Sequence, residues 1–267
     1  MSKSKKKTKI NKKKLISSLS LVLIIIVAIT VCIVLKCNNK TEKNKETMKL
    51  SFTSGIDKIK NFDGKGYYKI GWLQVQGTNI DLPIMETNYI KEEENSPSFG
   101  WRSQLYVTGE NVEVLAGHNV MNVSDTPMLP NKELTDFEEL MAFTYYDFAK
   151  DNLYIQYTKD GKDEIYLIYA VGFYDSSEKD MASTNDSKKV KEYIKKAKNK
   201  SIYDYDIDVK SSDSLIRLAT CTRYFGLNEK QAFIIDARKL REDEKTIKYD
   251  VKKNDNYKML AKKEEKM

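Results

Sequence analysis

The chain has 267 residues, 40% hydrophobic and 10% aromatic, which is enough to bury a core of ordinary domain size and excludes whole-chain disorder. Three cysteines and one histidine exclude a disulfide framework and a zinc cluster of Cys/His type, which needs about four such ligands. The net charge of +7 is local: Lys3 to Lys14 supply eight lysines and no acid, the rest of the chain is near neutral, and nucleic-acid binding loses its electrostatic support.

Leu15 to Leu35 then run for 21 residues without a charge, and about 20 such residues span a bilayer as a helix. The lysine cluster lies directly before this stretch, so the positive-inside bias predicts a single-pass anchor with a cytoplasmic N-terminus and an extracellular body. A cleaved signal peptide would have a shorter apolar stretch and a small-residue cleavage site. Lipoprotein processing at Cys37 would need small residues where Val34, Leu35 and Lys36 stand. Cys32 sits in the apolar span and reads as a small hydrophobe. Residues 37–50 are polar and lysine-rich and read as a stem.

Ile56, Ile59 and Phe62 fall at near-helical spacing and predict a short helix before the Asp63-Gly64-Lys65-Gly66 turn. Strand patterns follow at Tyr68 to Val75, Asn79 to Met85 with Pro83 inside, and Val112 to Leu115. Leu134, Phe137 and Leu140 recur at three-residue steps within a predicted helix over 133–143, a stripe of core contacts. Leu153 to Tyr157 and Ile165 to Val171 flank Asp160-Gly161 and predict a β-hairpin. Ser187 to Lys198 carries Val190, Tyr193 and Ile194 beneath a lysine-rich solvent face, and strands resume at Leu215 to Thr220 and Ala232 to Ala237. Seven or eight short strands with inserted helices predict a mainly β fold, a barrel or sandwich and not a parallel βαβ sheet. The segment from Arg241 on is charged without apolar periodicity and reads as peripheral.

His118 and Cys221 each follow an apolar strand, at the strand end where a rigid frame holds functional side chains. Cys221 is the one thiol well away from the membrane stretch: a buried bystander, an intermolecular bridge or a reactive thiol. A free thiol is mostly protonated at neutral pH, and a neighbouring imidazolium or guanidinium makes the thiolate available for attack. One Cys, one His and one cation therefore suffice for nucleophilic catalysis.

Leu218-Ala219-Thr220-Cys221 at the end of an apolar strand, Gly117-His118-Asn119 about a hundred residues earlier, and an N-terminal anchor together resemble the sortases, surface cysteine transpeptidases of Gram-positive bacteria. The resemblance covers roughly residues 50 to 242 and takes in Ile70 to Pro83 as early strands. The helical insertion with Glu192-Tyr193-Ile194 and Ser201-Ile202-Tyr203-Asp204 is similar to class B sortases in particular. The chain order, histidine before cysteine, argues against papain-like and cell-wall amidase-like peptidases.

The resemblance implies a closed β-barrel with an N-terminal helical segment and a helix before the cysteine strand, and a two-step acyl transfer. Cys221 would attack a Thr–Gly or similar bond in the C-terminal sorting signal of a surface protein, and His118 would protonate the leaving amine. An amino group of a peptidoglycan cross-bridge or of a pilin would resolve the thioester, with no metal or cofactor. The implied organisation is a basic cytoplasmic tail over 1–14, an anchor over 15–36, stem and helix over 37–62, a catalytic domain over 63–242 and a charged tail over 243–267.

The sequence departs from the family where class B sortases carry an arginine about ten residues after the cysteine, thought to hold the substrate carbonyl oxygen. Counting from Cys221 puts Gln231 there, aligning on Ala237-Arg238 puts Ala232 there, and Arg238 matches a basic residue farther along. If the strand stays extended through Cys221, period-two alternation sets Arg217, Ala219, Cys221 and Arg223 on one face, so that Arg223 or Arg217 supplies the cation; Gln231 as a neutral donor is the alternative. Ala219 replaces a common class B serine and leaves the recognised signal open. A catalytically degenerate sortase-fold module acting as a binding scaffold is the second reading of the chain. A simple hydrolase would share the acylation step, and a sensor ectodomain has little room for signalling within the 14 residues before the span.

Overall fold

A computed structural model describes residues 27, 29–30, 47–62, 69–86, 100–102, 112–175, 186–226 and 231–257. Met48 to Met267 form one compact unit and Met1 to Thr47 a separate one. Of the predicted membrane span only Val27, Ile29 and Thr30 are described, all three helical. No helix among the described residues is long and apolar enough to cross a membrane. The lysine cluster, Cys32, Cys37, the stem up to residue 46 and the turn at 63–66 lie outside the described residues.

Eight strands close a barrel in the order β1-β2-β3-β4-β8-β9-β6-β5, with β5 returning to β1. They are β1 (Lys69–Val75), β2 (Asp81–Glu86), β3 (Gly100–Arg102), β4 (Val112–Gly117), β5 (Tyr154–Lys159), β6 (Lys162–Asp175), β8 (Leu215–Thr222) and β9 (Gln231–Lys239). Closure leaves none of these strands with an open edge along its whole length, and the mainly β expectation with a closed barrel holds. The hairpin forms as read: Asp160 at φ 50° and Gly161 at φ 72° supply the two positive-φ positions that a type I′ turn demands. Pro83 fits within β2 because β3 begins pairing only at Ile84 opposite Gly100, so no ladder bond on that side needs its missing N–H. The three-residue β3 is too short to show an alternation and was not predicted.

Helix α1 (Gly55–Asn61) stands where Ile56, Ile59 and Phe62 place it, and the Phe62 ring meets Trp72 edge-on at 5.7 Å. The predicted helix over 133–143 is a 3-10 helix, Phe137–Thr144, followed by α2 (Tyr146–Asp151). A step of three residues is the 3-10 period, which lines up Phe137, Leu140 and Phe143 along the helix; all three, and Leu134 just before it, are fully buried. Phe137, Leu140 and Phe143 join Leu73, Ile84, Leu115, Tyr157, Leu218, Phe233 and Ile235 in the main core.

Helix α3 (Ser187–Lys200) is capped by the Asp186 side chain, which accepts from the Lys188 backbone N–H. Its apolar stripe, Val190, Tyr193, Ile194 and Ala197, covers Tyr169, Ala170, Val112 and Leu215 in a second, smaller core. The segment beyond Arg241, read from sequence as peripheral, is in fact bound to the body. β10 (Val251–Lys253) pairs with β7 (Tyr203–Tyr205) in a separate two-stranded sheet, and the Tyr249 hydroxyl donates to the carbonyls of Leu153 and Ile168.

Candidate active site

β4 and β8 pair in parallel from Val112 opposite Leu215 to Gly117 opposite Thr220. The register ends there, and the next residues along the two neighbouring strands are His118, the first past β4, and Cys221. The Thr220 hydroxyl donates to the Gly117 carbonyl at 2.8 Å and ties the two strands together one residue before each candidate group. Cys221 is exposed and His118 half-buried.

Strand parity decides what surrounds the thiol. Cys221 pairs with Ala232, and Ala219 pairs with Ala116 on one side and Ile234 on the other, so these side chains share a face. The three alanines are half-buried and small, so none of these positions places a bulky side chain beside the sulfur. Thr220, Thr222 and Phe233 alternate to the buried face.

The loop after His118 is tightly tied. Asn119 and Asn122 exchange side-chain and backbone hydrogen bonds at 2.9 and 3.0 Å, and Asn122, 1% exposed, also bonds Met128 and the Glu138 carbonyl. Gly117 is required by its surroundings, because a Cβ there would lie 2.3 Å from the Phe137 ring, so the 3-10 helix rests on the backbone next to His118.

β8 ends at Thr222, and a turn over Arg223 to Gly226 follows, closed by the Gly226 N–H on the Arg223 carbonyl at 2.9 Å. Phe225 plugs the turn into the core against Phe173, with ring centroids 4.9 Å apart. Arg223 is the exposed first residue of this anchored turn, two positions past Cys221.

The other expected oxygen-holding groups stand elsewhere. Arg217 does share the face of Cys221, but α3 covers that end of it. Its guanidinium is bound to Asp236 at 2.7 and 2.8 Å and lies between the rings of Tyr174 and Tyr193, each 4.7 Å away. Four residues of strand separate it from Cys221, about 13 Å, so a guanidinium locked in this pair does not serve the thiol. Gln231 pairs with Thr222 on the buried face, and its side-chain oxygen accepts from the Phe225 N–H at 3.0 Å, a structural tie for the turn. Ala232 occupies the position opposite the thiol and has no donor to offer. Arg238 is buried in an ion pair with Glu244. Glu229 and Lys230 lie outside the described residues.

Among the described residues no cluster of three or more His, Cys, Asp or Glu is arranged to hold a metal ion. Sequence reasoning missed the carboxylates beneath this site. Asp136, Glu138 and Glu139 are all buried, and the adjacent acids at 138 and 139 inside an apolar run were the signal that could have marked them.

No family model matches the chain, and no curated protein matches it in sequence. Solved structures do match. The chain is similar to Clostridium perfringens sortase B at 22% identity and TM-score 0.52, covering 65% of this chain and 94% of that one. It is similar to sortase B from the type II pilus of Streptococcus pneumoniae at 19% identity and TM-score 0.53, covering 70% and 98%. Staphylococcus aureus sortase B in complex with its substrate matches at 14% identity and TM-score 0.53, covering 70% and 84%. The eight-strand barrel, the helix before the cysteine strand and these likenesses agree: the chain has the sortase fold in its class B form.

Proposed function

We propose that the protein is a membrane-anchored cysteine transpeptidase, with Cys221 as nucleophile and His118 as general acid and base. The observation that carries this reading is the parallel β4–β8 pairing, which ends one residue before the chain's single histidine on one strand and before an exposed thiol on its neighbour. The charge pattern around residues 15–36 supports an extracellular body on a single N-terminal span.

In the first step the Cys221 thiolate attacks the carbonyl carbon of a peptide bond in a sorting signal. The C–N bond breaks, His118 gives its proton to the leaving nitrogen, and the acyl group stays on sulfur as a thioester. In the second step an amine, from a wall peptide or a pilin, attacks the thioester carbon and loses its proton to His118, and the thiolate departs. The oxyanion formed in each step needs a donor. Arg223 fits that role by position, since its backbone is fixed by the turn and its side chain starts two residues from the sulfur.

Intact-mass spectrometry of the extracellular body with a mixture of sorting-signal peptides and amines tests the reading. The wild type gains a thioester adduct and releases an amide product, and Cys221→Ala gives neither. Arg223→Ala acylates at least tenfold more slowly, consistent with loss of one oxyanion donor. Ala232 opposite the thiol favours a second reading, a non-catalytic module on the same fold, and a wild type that forms no adduct and alkylates slowly at Cys221 would select it.

A further inference from the structure

We propose that Glu138 is a positioning residue for His118, its carboxylate clamping the loop that carries the imidazole. This rests on the reading of His118 as acid and base given above. His118 lies one residue past the end of β4, so no strand ladder fixes its backbone beyond Gly117. The loop that follows closes on Glu138. One carboxylate oxygen accepts from the N–H groups of Val120 at 3.3 Å and Met121 at 2.9 Å, and the other accepts from Thr135 at 3.3 Å. The Glu138 backbone carbonyl takes a further bond from Asn122 at 2.9 Å. One residue of the 3-10 helix thus gathers three consecutive loop residues, while its neighbour Phe137 presses on Gly117 from behind.

Glu138 is only 3% exposed, and a buried carboxylate is tolerated only where donors replace its water. Here the donors are loop N–H groups, so the stabilisation the charge receives is also the force that holds the loop. The effect of that charge is felt next door: Asp136 is pushed up to about 7, first by burial and then by Glu138. A glutamine at 138 would present one oxygen and an N–H₂ group to donors on both sides, and one side of the clamp would be lost. A displacement of His118 of about 1 Å is enough to cost about a hundredfold in rate without touching substrate binding.

Glu139 supplies the control. It is equally buried in the same helix, but its carboxylate accepts from Asn79 on the opposite side and has no bond to the His118 loop. The experiment compares wild type, Glu138→Gln, Glu138→Asp and Glu139→Gln with the peptide that wild type acylates fastest, and records the ring resonances of the one histidine in each. Expected for Glu138→Gln are a kcat at least tenfold lower, a KM within twofold, and displaced His118 ring signals. Glu138→Asp, which keeps the charge on a shorter arm, recovers part of the rate, and Glu139→Gln leaves kcat and ring signals as in wild type. Wild-type kcat and ring signals in Glu138→Gln, or an equal loss of kcat in Glu139→Gln, would overturn the proposal. A His118→Ala enzyme that acylates normally would instead overturn the acid–base reading, and the ring signals alone would then decide the positioning of the loop.

Discussion

Asp136 is buried with one carboxyl oxygen unpartnered, and desolvation followed by the charge of Glu138 raises its pKa from 3.8 to about 7. A pKa raised on folding means that the folded state holds the proton more tightly. The contribution to stability is complete below about pH 4 and is lost as pH rises through about 7. Asp136→Asn therefore stabilises the protein at pH 8 by about 1–2 kcal/mol, with little effect at about pH 3.5, below the unfolded value. Urea unfolding at the two pH values checks this, and equal effects at both would contradict it. The same scale explains why Arg217 misleads when read from sequence. Alternation gives the face a side chain occupies but not what covers it, and the Tyr174 and Tyr193 rings that enclose the guanidinium come from distant segments. Likewise Glu138 and Glu139 vanish in a reading of apolar stripes, because their partners are N–H groups of loops that no periodicity announces.

At the level of elements, the site depends on one strand pair. Thr220 bridges to Gly117 at the last register pair before His118 and Cys221. Thr220→Val keeps the shape and removes the bond, and is expected to cost about 1 kcal/mol in stability and at least tenfold in acylation rate. An unchanged rate in a folded variant would show that the bridge does not hold the pair in register. The parallel pairing itself was not legible, since strand patterns at 112–115 and 215–220 do not reveal that two segments a hundred residues apart are neighbours. The hairpin at 153–171 was legible because its turn is local and Asp-Gly specifies its geometry. The C-terminal segment failed in the opposite way. β10 has only three residues, too few for a pattern, yet Tyr249 is half-buried against the main core and its hydroxyl bonds two carbonyls. Tyr249→Phe is expected to lower stability by about 1–3 kcal/mol, measured by thermal or denaturant unfolding, and an unchanged midpoint would return this segment to the periphery.

Over the whole molecule, the barrel brings a thiol and an imidazole from distant parts of the sequence to neighbouring strand ends. Closure fixes the strand order, the order makes β4 and β8 neighbours, and the parallel register sets both groups at one end of the barrel. The core beneath, with Phe137, Leu115, Leu218 and Phe233 packed together, keeps that end from shifting. The number of strands and their turns left barrel and sandwich both open, and only the family resemblance implied a closed barrel, whereas the departure at Ala232 and Gln231 was legible as an absence and its structural consequence was not. A side chain that ties a turn and a small one opposite the thiol look the same as missing arginines until the register is known.

The proposed function requires that His118 and Cys221 form one reactive pair. Because the chain has a single histidine, its ring resonances need no assignment. They would be recorded before and after Cys221 is capped with a small methylthio group, with Cys221→Ala carrying the same reagent as control. If the two groups are one pair, capping displaces the ring signals and their pH titration in wild type alone. Identical spectra before and after complete capping would show the two groups to be independent and would contradict that pairing.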